Sequence, residues 1–168
     1  KHATMMFAYA CLSAARNPAL GDFAPKLYDD AFRMLNLVYP YATLANPLLY
    51  KGNPRFCTQY TNSSSEESVG PILSGTATWL SLCIVSFSGL LLEKEGFRLA
   101  PLLPKEWGEY RLTVHLQGSV YQINYRKKAG EKALNVDSLM VDGQLLESNA
   151  LIPFFHDGKI HHLLLNLA

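Results

Sequence analysis

Within Gly70-Pro71-Ile72-Leu73-Ser74-Gly75-Thr76, a stiffening proline, two hydroxyls and a glycine stand at the entrance to an apolar stretch. Ser74 occupies the position of a helix N-cap, where its hydroxyl accepts from a backbone N–H two or three residues on. Gly75 has no Cβ, so a ligand can approach the main chain closely there. Thr76 adds a second hydroxyl beside it. From Thr76 to about Leu92 the chain has no proline and few polar residues, which predicts a buried helix. Its N-terminus, with unsatisfied N–H groups and the positive end of the helix dipole, would then face a hydroxyl-rich loop. Such a place suits an anion such as phosphate. A serine that only caps a core helix gives the same pattern and is the commoner case, so these residues alone leave both uses open.

Other chemistries find less support. Asp29-Asp30 and Glu66-Glu67 are paired carboxylates, but adjacent side chains diverge on a helix. The run Ser63-Ser64-Ser65 before the second pair reads as a solvated loop tip, so neither pair is taken as catalytic. His161 and His162 are adjacent and point to opposite faces of a strand. Cys11, Cys57 and Cys83 form no C-x-x-C pair, so no metal site is expected. Free thiols in odd number suit a reducing, cytoplasmic setting. A net charge of +1 with scattered Lys and Arg gives no electrostatic ground for binding nucleic acid or an acidic membrane. The longest apolar run is too short to span a bilayer. Residues 40 to 73 form a long stretch rich in Asn, Ser, Pro and Tyr, and a loop of that length is more often functional than not. On it, Tyr50, Arg55, Gln59 and Tyr60 are the candidates for a sugar subsite.

The elements that must position these residues fall into two blocks. Residues 3 to 15 lack Gly and Pro and favour a helix, which Arg16-Asn17-Pro18 stops. Asp22 and Pro25 open a second helix, with Leu27, Ala31, Met34, Leu35 and Val38 as its buried stripe. The third helix follows Ser74 and ends between Gly89 and Glu93. It is apolar nearly all round, and three helices cannot enclose it, so the chain reads as though it begins inside a larger polypeptide. The pattern changes near residue 95. Leu112, Val114 and Leu116 alternate with polar residues, as do Tyr121, Ile123 and Tyr125 after Gln117-Gly118; this predicts a hairpin. Leu134 to Val141, Gln144 to Leu146, Leu151 to Phe155 and Lys159 to Leu167 continue the series, with turns at Asp142-Gly143 and Asp157-Gly158. Such a series suggests a β-sandwich. Trp79 and Trp107 are expected to fill cores.

Three segments, in order, resemble landmarks of glycoside hydrolase family 94, the inverting glycoside phosphorylases. Leu73-Ser74-Gly75-Thr76-Ala77-Thr78-Trp79 resembles "[TS]-G-[TS]-A-x-W". Gly96-Phe97-Arg98-Leu99-Ala100-Pro101-Leu102-Leu103-Pro104-Lys105-Glu106-Trp107 is similar to "G-[LF]-x-[IL]-x-P-x-[IL]-P-x-x-W". Leu116-Gln117-Gly118-Ser119-Val120-Tyr121-Gln122-Ile123 is similar to "[FL]-x-G-[AS]-x-Y-x-[IV]". Upstream of them, His2-Ala3-Thr4 resembles the start of a barrel helix that carries a phosphate-contacting histidine. Together these cover most of residues 1 to 127.

The resemblance implies the last helices and one active-site loop of an (α/α)6 barrel over residues 1–95, then a C-terminal β-sandwich over 96–168. It implies phosphorolysis of a β-linked glucosyl disaccharide or short β-glucan to a sugar 1-phosphate, with inorganic phosphate as co-substrate and no other cofactor. His2, Ser74 and Gly75, with Thr76 beside them, would hold the phosphate. The general acid, an Asp, would lie upstream of these residues. The partners implied are the saccharide, phosphate and the remainder of the barrel, with a homodimer also compatible. Two alternatives stand beside this one. Residues 96–168 could be a carbohydrate-binding or structural module, or the chain could be the phosphorylase-like region of a cyclic β-glucan synthase.

Overall fold

The computed structural model describes residues 1–39, 60–61, 68–69, 75–104, 106–127 and 135–168. Its contacts divide the chain into two compact units, Lys1–Ser86 and Phe87–Ala168.

The first unit is helical. Helix α1 spans His2–Ala15 and α2 spans Ala24–Val38. A short 3-10 segment, Pro18–Phe23, joins them, and Asn17 caps it by accepting from the Ala19 N–H at 3.0 Å. Pro25 sits in the first turn of α2, where its missing N–H removes no intrahelical bond. The buried stripe of α2 is Tyr28, Ala31, Leu35 and Val38, which recur at three- and four-residue steps. Leu27 and Met34 flank it half-buried, so the stripe is centred one residue beyond Leu27. Met5, Ala8, Cys11 and Leu12 are the buried residues of α1. Strands β1 (Tyr60–Thr61) and β2 (Ser68–Val69) form a two-residue antiparallel ladder inside the stretch read as irregular.

Helix α3 spans Gly75–Ser88 and so ends against Gly89, the near limit of the expected range. Gly89 adopts φ +73°, a left-handed conformation that ends helices. The next three residues become strand β3, Leu90–Leu92. A continuous apolar run does not distinguish helix from strand by period; the glycine decides it.

The second unit holds two sheets. Strand β3 pairs with β4 (Gly96–Leu99), which pairs with β9 (Ile152–Pro153). At Gly96 a Cβ would run into the Ile152 carbonyl, which is why β4 and β9 can approach so closely there. The larger sheet has the order β5-β6-β10-β7-β8. Its members are β5 (Glu109–Leu116), β6 (Ser119–Arg126), β7 (Val136–Val141), β8 (Gln144–Leu146) and β10 (Ile160–Leu167). Gln117-Gly118 and Asp142-Gly143 have positive φ at both positions, the twist-matched type I′ geometry of two-residue hairpins. The central strand β10 runs parallel to β6 and antiparallel to β7.

One core serves both sheets. Phe97, Leu99 and Ile152 from the smaller sheet meet Tyr121, Ile123, Tyr125, Leu139, Leu163 and Leu165 from the larger. The expected sandwich face of Tyr121, Ile123 and Tyr125 is fully buried. Trp107 packs half-buried at the margin of this core and stacks on Tyr110 at 5.2 Å between ring centroids. Among the described residues no helix is long and apolar enough to cross a membrane.

Candidate functional site

Helix α1 begins at His2 and α3 begins at Gly75, and the two starts touch. A Cβ at residue 75 would lie 2.7 Å from His2 Nδ1 and 3.2 Å from Nε2, and would overlap Cε1. A side chain at residue 75 would therefore require this imidazole to move. His2 Nδ1 is buried and, among the described residues, has no hydrogen-bond partner. A buried polar atom without a partner costs about 1–3 kcal/mol, so each one asks for an explanation. The first turn of α3 carries no acidic residue, and the positive end of its dipole is not neutralised by its own side chains. Thr76, the next residue, is fully buried.

Further contacts hold the two helices together. The Cys83 thiol donates to the Met5 carbonyl at 3.7 Å, Tyr9 lies 5.5 Å from Trp79 between ring centroids, and the Arg16 guanidinium donates to the Ser86 carbonyl. Burial pushes the Cys83 thiol up to about 11, so it stays protonated and serves as a donor, not a nucleophile. Trp79 is half-buried rather than a full core plug.

Of the residues expected to form the site, the structure thus brings His2, Gly75 and Thr76 into one neighbourhood. Tyr60 lies in β1, its backbone opposite Val69. Ser74, Tyr50, Arg55 and Gln59 lie outside the described residues.

The sandwich unit has a polar cluster of its own that sequence inspection missed. His161 on β10 is buried. Its Nδ1 lies 2.7 Å from Asp142 Oδ2 and its Nε2 lies 3.1 Å from Asp157 Oδ1. Asp142 Oδ1 also accepts from the His162 N–H at 2.8 Å. Asp157 Oδ1 accepts from the Lys159 N–H at 3.0 Å and from the Ser119 hydroxyl at 3.1 Å. Burial alone would lower the basicity of His161, but bonds to Asp142 and Asp157 outweigh it and raise its pKa. The Lys159 N–H foremost, then His161 and Ser119, hold Asp157 down at about 2. For Asp142, burial opposes the shift, and the His161 and His162 bonds prevail to lower it. The signal for this cluster was present: His161 shares strand parity with Leu163, Leu165 and Leu167, and a histidine on a core face needs partners. No pattern in the sequence named those partners, because both come from turns.

Comparison with known proteins bears on the second unit most directly. Residues 90–136 match the glycosyl hydrolase family 65, C-terminal domain. The chain is 31% identical over 80 residues to maltose phosphorylase of Bacillus subtilis (strain 168), covering 48% of this chain and 10% of that protein. It is 27% identical over 89 residues to alpha,alpha-trehalose phosphorylase of Geobacillus stearothermophilus, covering 49% of this chain and 12% of that protein. It is 25% identical over 139 residues to solabiose phosphorylase of Paenibacillus borealis, covering 79% of this chain and 18% of that protein. The chain is therefore similar to the C-terminal part of disaccharide phosphorylases and spans less than a fifth of their length. The domain matched is that of family 65, where the short motifs pointed to family 94.

Proposed function

We propose that this chain is the C-terminal part of a glycoside phosphorylase, a glycosyl-transferring enzyme that cleaves a disaccharide with inorganic phosphate. Residues 1–95 would be the closing helices and active-site loop of an (α/α)6 barrel, and 96–168 the C-terminal sandwich. The observation that carries the proposal is the buried His2 Nδ1 against Gly75 at the start of α3. The similarity to three phosphorylases supports it independently.

In this proposal phosphate lies at the α3 N-terminus, held by backbone N–H groups, the Ser74 and Thr76 hydroxyls, and the His2 ring. With its proton on Nδ1, the imidazole would give the anion the hydrogen bond for which this atom has no partner among the described residues. A phosphate held in line with the anomeric carbon is already a nucleophile, so no second carboxylate is needed to activate water. A phosphate oxygen bonds to that carbon, the glycosidic C–O bond breaks, and a general acid outside these 168 residues protonates the leaving oxygen. Tyr50, Arg55, Gln59 and Tyr60 would line the sugar side. A cytoplasmic setting belongs to the same proposal, as does a family 94 type enzyme with a β-glucosyl substrate. One relative's name carries an alpha,alpha linkage, so the linkage is what a test must resolve first.

The test is to incubate the full-length polypeptide with phosphate and, separately, cellobiose, maltose and trehalose, and to assay sugar 1-phosphate. Phosphate-dependent product from one of them is expected, with cellobiose marking the β-linked form. Hydrolysis without phosphate dependence, or no product from any disaccharide, would overturn the proposal.

A further inference from the structure

The sandwich unit has a cleft of about 290 Å³ between the β7–β8 hairpin and β9, lined among others by Asp142, Gln144, Leu146, Pro153 and Phe155. That volume is at the lower end of small-ligand pockets, roughly 300–1,000 Å³, and fits one sugar ring rather than a chain. Its polar groups are held in place. Asp142 is fixed by His161 Nδ1 at 2.7 Å and the His162 N–H at 2.8 Å, yet remains half-exposed. Each carboxylate oxygen has capacity for a further hydrogen bond. Phe155 is held by stacking on His161 at 4.0 Å between ring centroids, while 37% of the residue stays exposed. Its main-chain N–H is fixed as well, donating to the Tyr121 hydroxyl at 3.0 Å.

From this arrangement we infer that the cleft is a saccharide site of the sandwich unit, which takes one neutral glycosyl unit. The chemistry selects the ligand class. An ionised carboxylate with no cationic side chain among the lining residues disfavours an anion. The carboxylate accepts from sugar hydroxyls, and the Gln144 amide can donate and accept. An aromatic ring stacked on His161, with apolar Leu146 and Pro153 beside it, suits the C–H face of a pyranose. Pre-ordered groups of this kind bind without first losing side-chain freedom. The choice of a saccharide over another neutral polyol draws on the phosphorylase proposal; the cleft and its fixed groups do not.

The test is a titration of the ¹⁵N-labelled 168-residue chain with cellobiose, maltose and inorganic phosphate, each alone. One of the disaccharides should shift the amide signals of Gly143, Gln144 and Phe155 saturably, with a dissociation constant of roughly 1–10 mM, and phosphate should not. Gln144→Ala, on an exposed edge strand, should weaken binding about three- to tenfold and leave the remaining spectrum in place. Phe155→Ala should weaken it at least as much. Absence of any saccharide shift at these signals, equal shifts by phosphate, or unchanged affinity in Gln144→Ala would overturn the assignment. Phosphorolysis is assayed on the intact polypeptide, so loss of either result leaves the other readable.

Discussion

The two units treat a buried histidine ring nitrogen in opposite ways. In the sandwich, His161 has a carboxylate on each ring nitrogen, 2.7 and 3.1 Å away. In the helical unit, His2 buries Nδ1 against Gly75, and no partner for that atom is found among the described residues. A fully satisfied histidine is explained by structure alone: it ties β10 to the turns at Asp142 and Asp157. In the proposed function, phosphate completes the histidine at the start of the helix. On that proposal the contrast is between a histidine that holds the fold and one that meets a ligand.

The largest expected effect is at the helix contact. Gly75→Ala forces a methyl group into the His2 imidazole. Overpacking of this kind costs about 1–3 kcal/mol. Urea denaturation followed by far-ultraviolet circular dichroism should show a lower midpoint for the helical signal. An unchanged midpoint would mean that the contact is loose and would weaken the case for a built site.

Next comes the clasp in the sandwich. His161→Ala removes the hydrogen bonds to Asp142 and Asp157 and opens a gap beside Tyr121 and Phe155, for a loss of about 1–2 kcal/mol. Tyr125 and Tyr121, buried beside the same core, give an ultraviolet signal that follows this unit. If His161→Ala destabilises less than substitution of an exposed pair such as Arg33–Asp30, the satisfied histidine is not structural after all.

A smaller effect is the pH dependence of that clasp. His161 has a raised folded pKa, so its contribution is complete below the unfolded value of about 6.5 and is lost as pH rises through the folded one. Asp142 and Asp157 have lowered folded values. Their contribution is complete above the unfolded value of about 3.9 and fades as pH falls toward the folded ones, about 2 for Asp157. The stability difference between the native chain and His161→Gln should therefore be greatest between about pH 4 and 6.5 and shrink on both sides. A difference that grows above pH 8 would reverse the sign of this account.

The two units also differ in how legible they were. The hairpin at Gln117-Gly118 follows from strict alternation and a glycine at the second turn position, so its buried face is readable from the sequence, whereas at Asp142-Gly143 only the turn residues are. Strands β3 and β4 were missed because Leu90–Leu92 continues the apolar composition of α3, and the local period is too short to tell helix from strand. The stripe of α2 is centred on Tyr28 rather than Leu27, because the tyrosine ring takes the inner face and is almost fully buried. The His161 clasp depends on residues that look like ordinary turn formers. No local pattern announces the meeting of His2 and Gly75, residues from distant parts of the chain; only the resemblance to a phosphate-binding motif placed them together.

In the proposed function the His2 ring serves phosphate. In the full-length polypeptide, His2→Ala should raise the KM for phosphate at least about tenfold, the worth of one strong charge-assisted hydrogen bond, while the KM for the disaccharide changes little. Gly75 and the backbone N–H groups of α3 remain in this variant, so residual phosphate use is expected. An unchanged phosphate KM, or an equal loss in both constants, would contradict the account and return His2 to the status of a helix-end histidine.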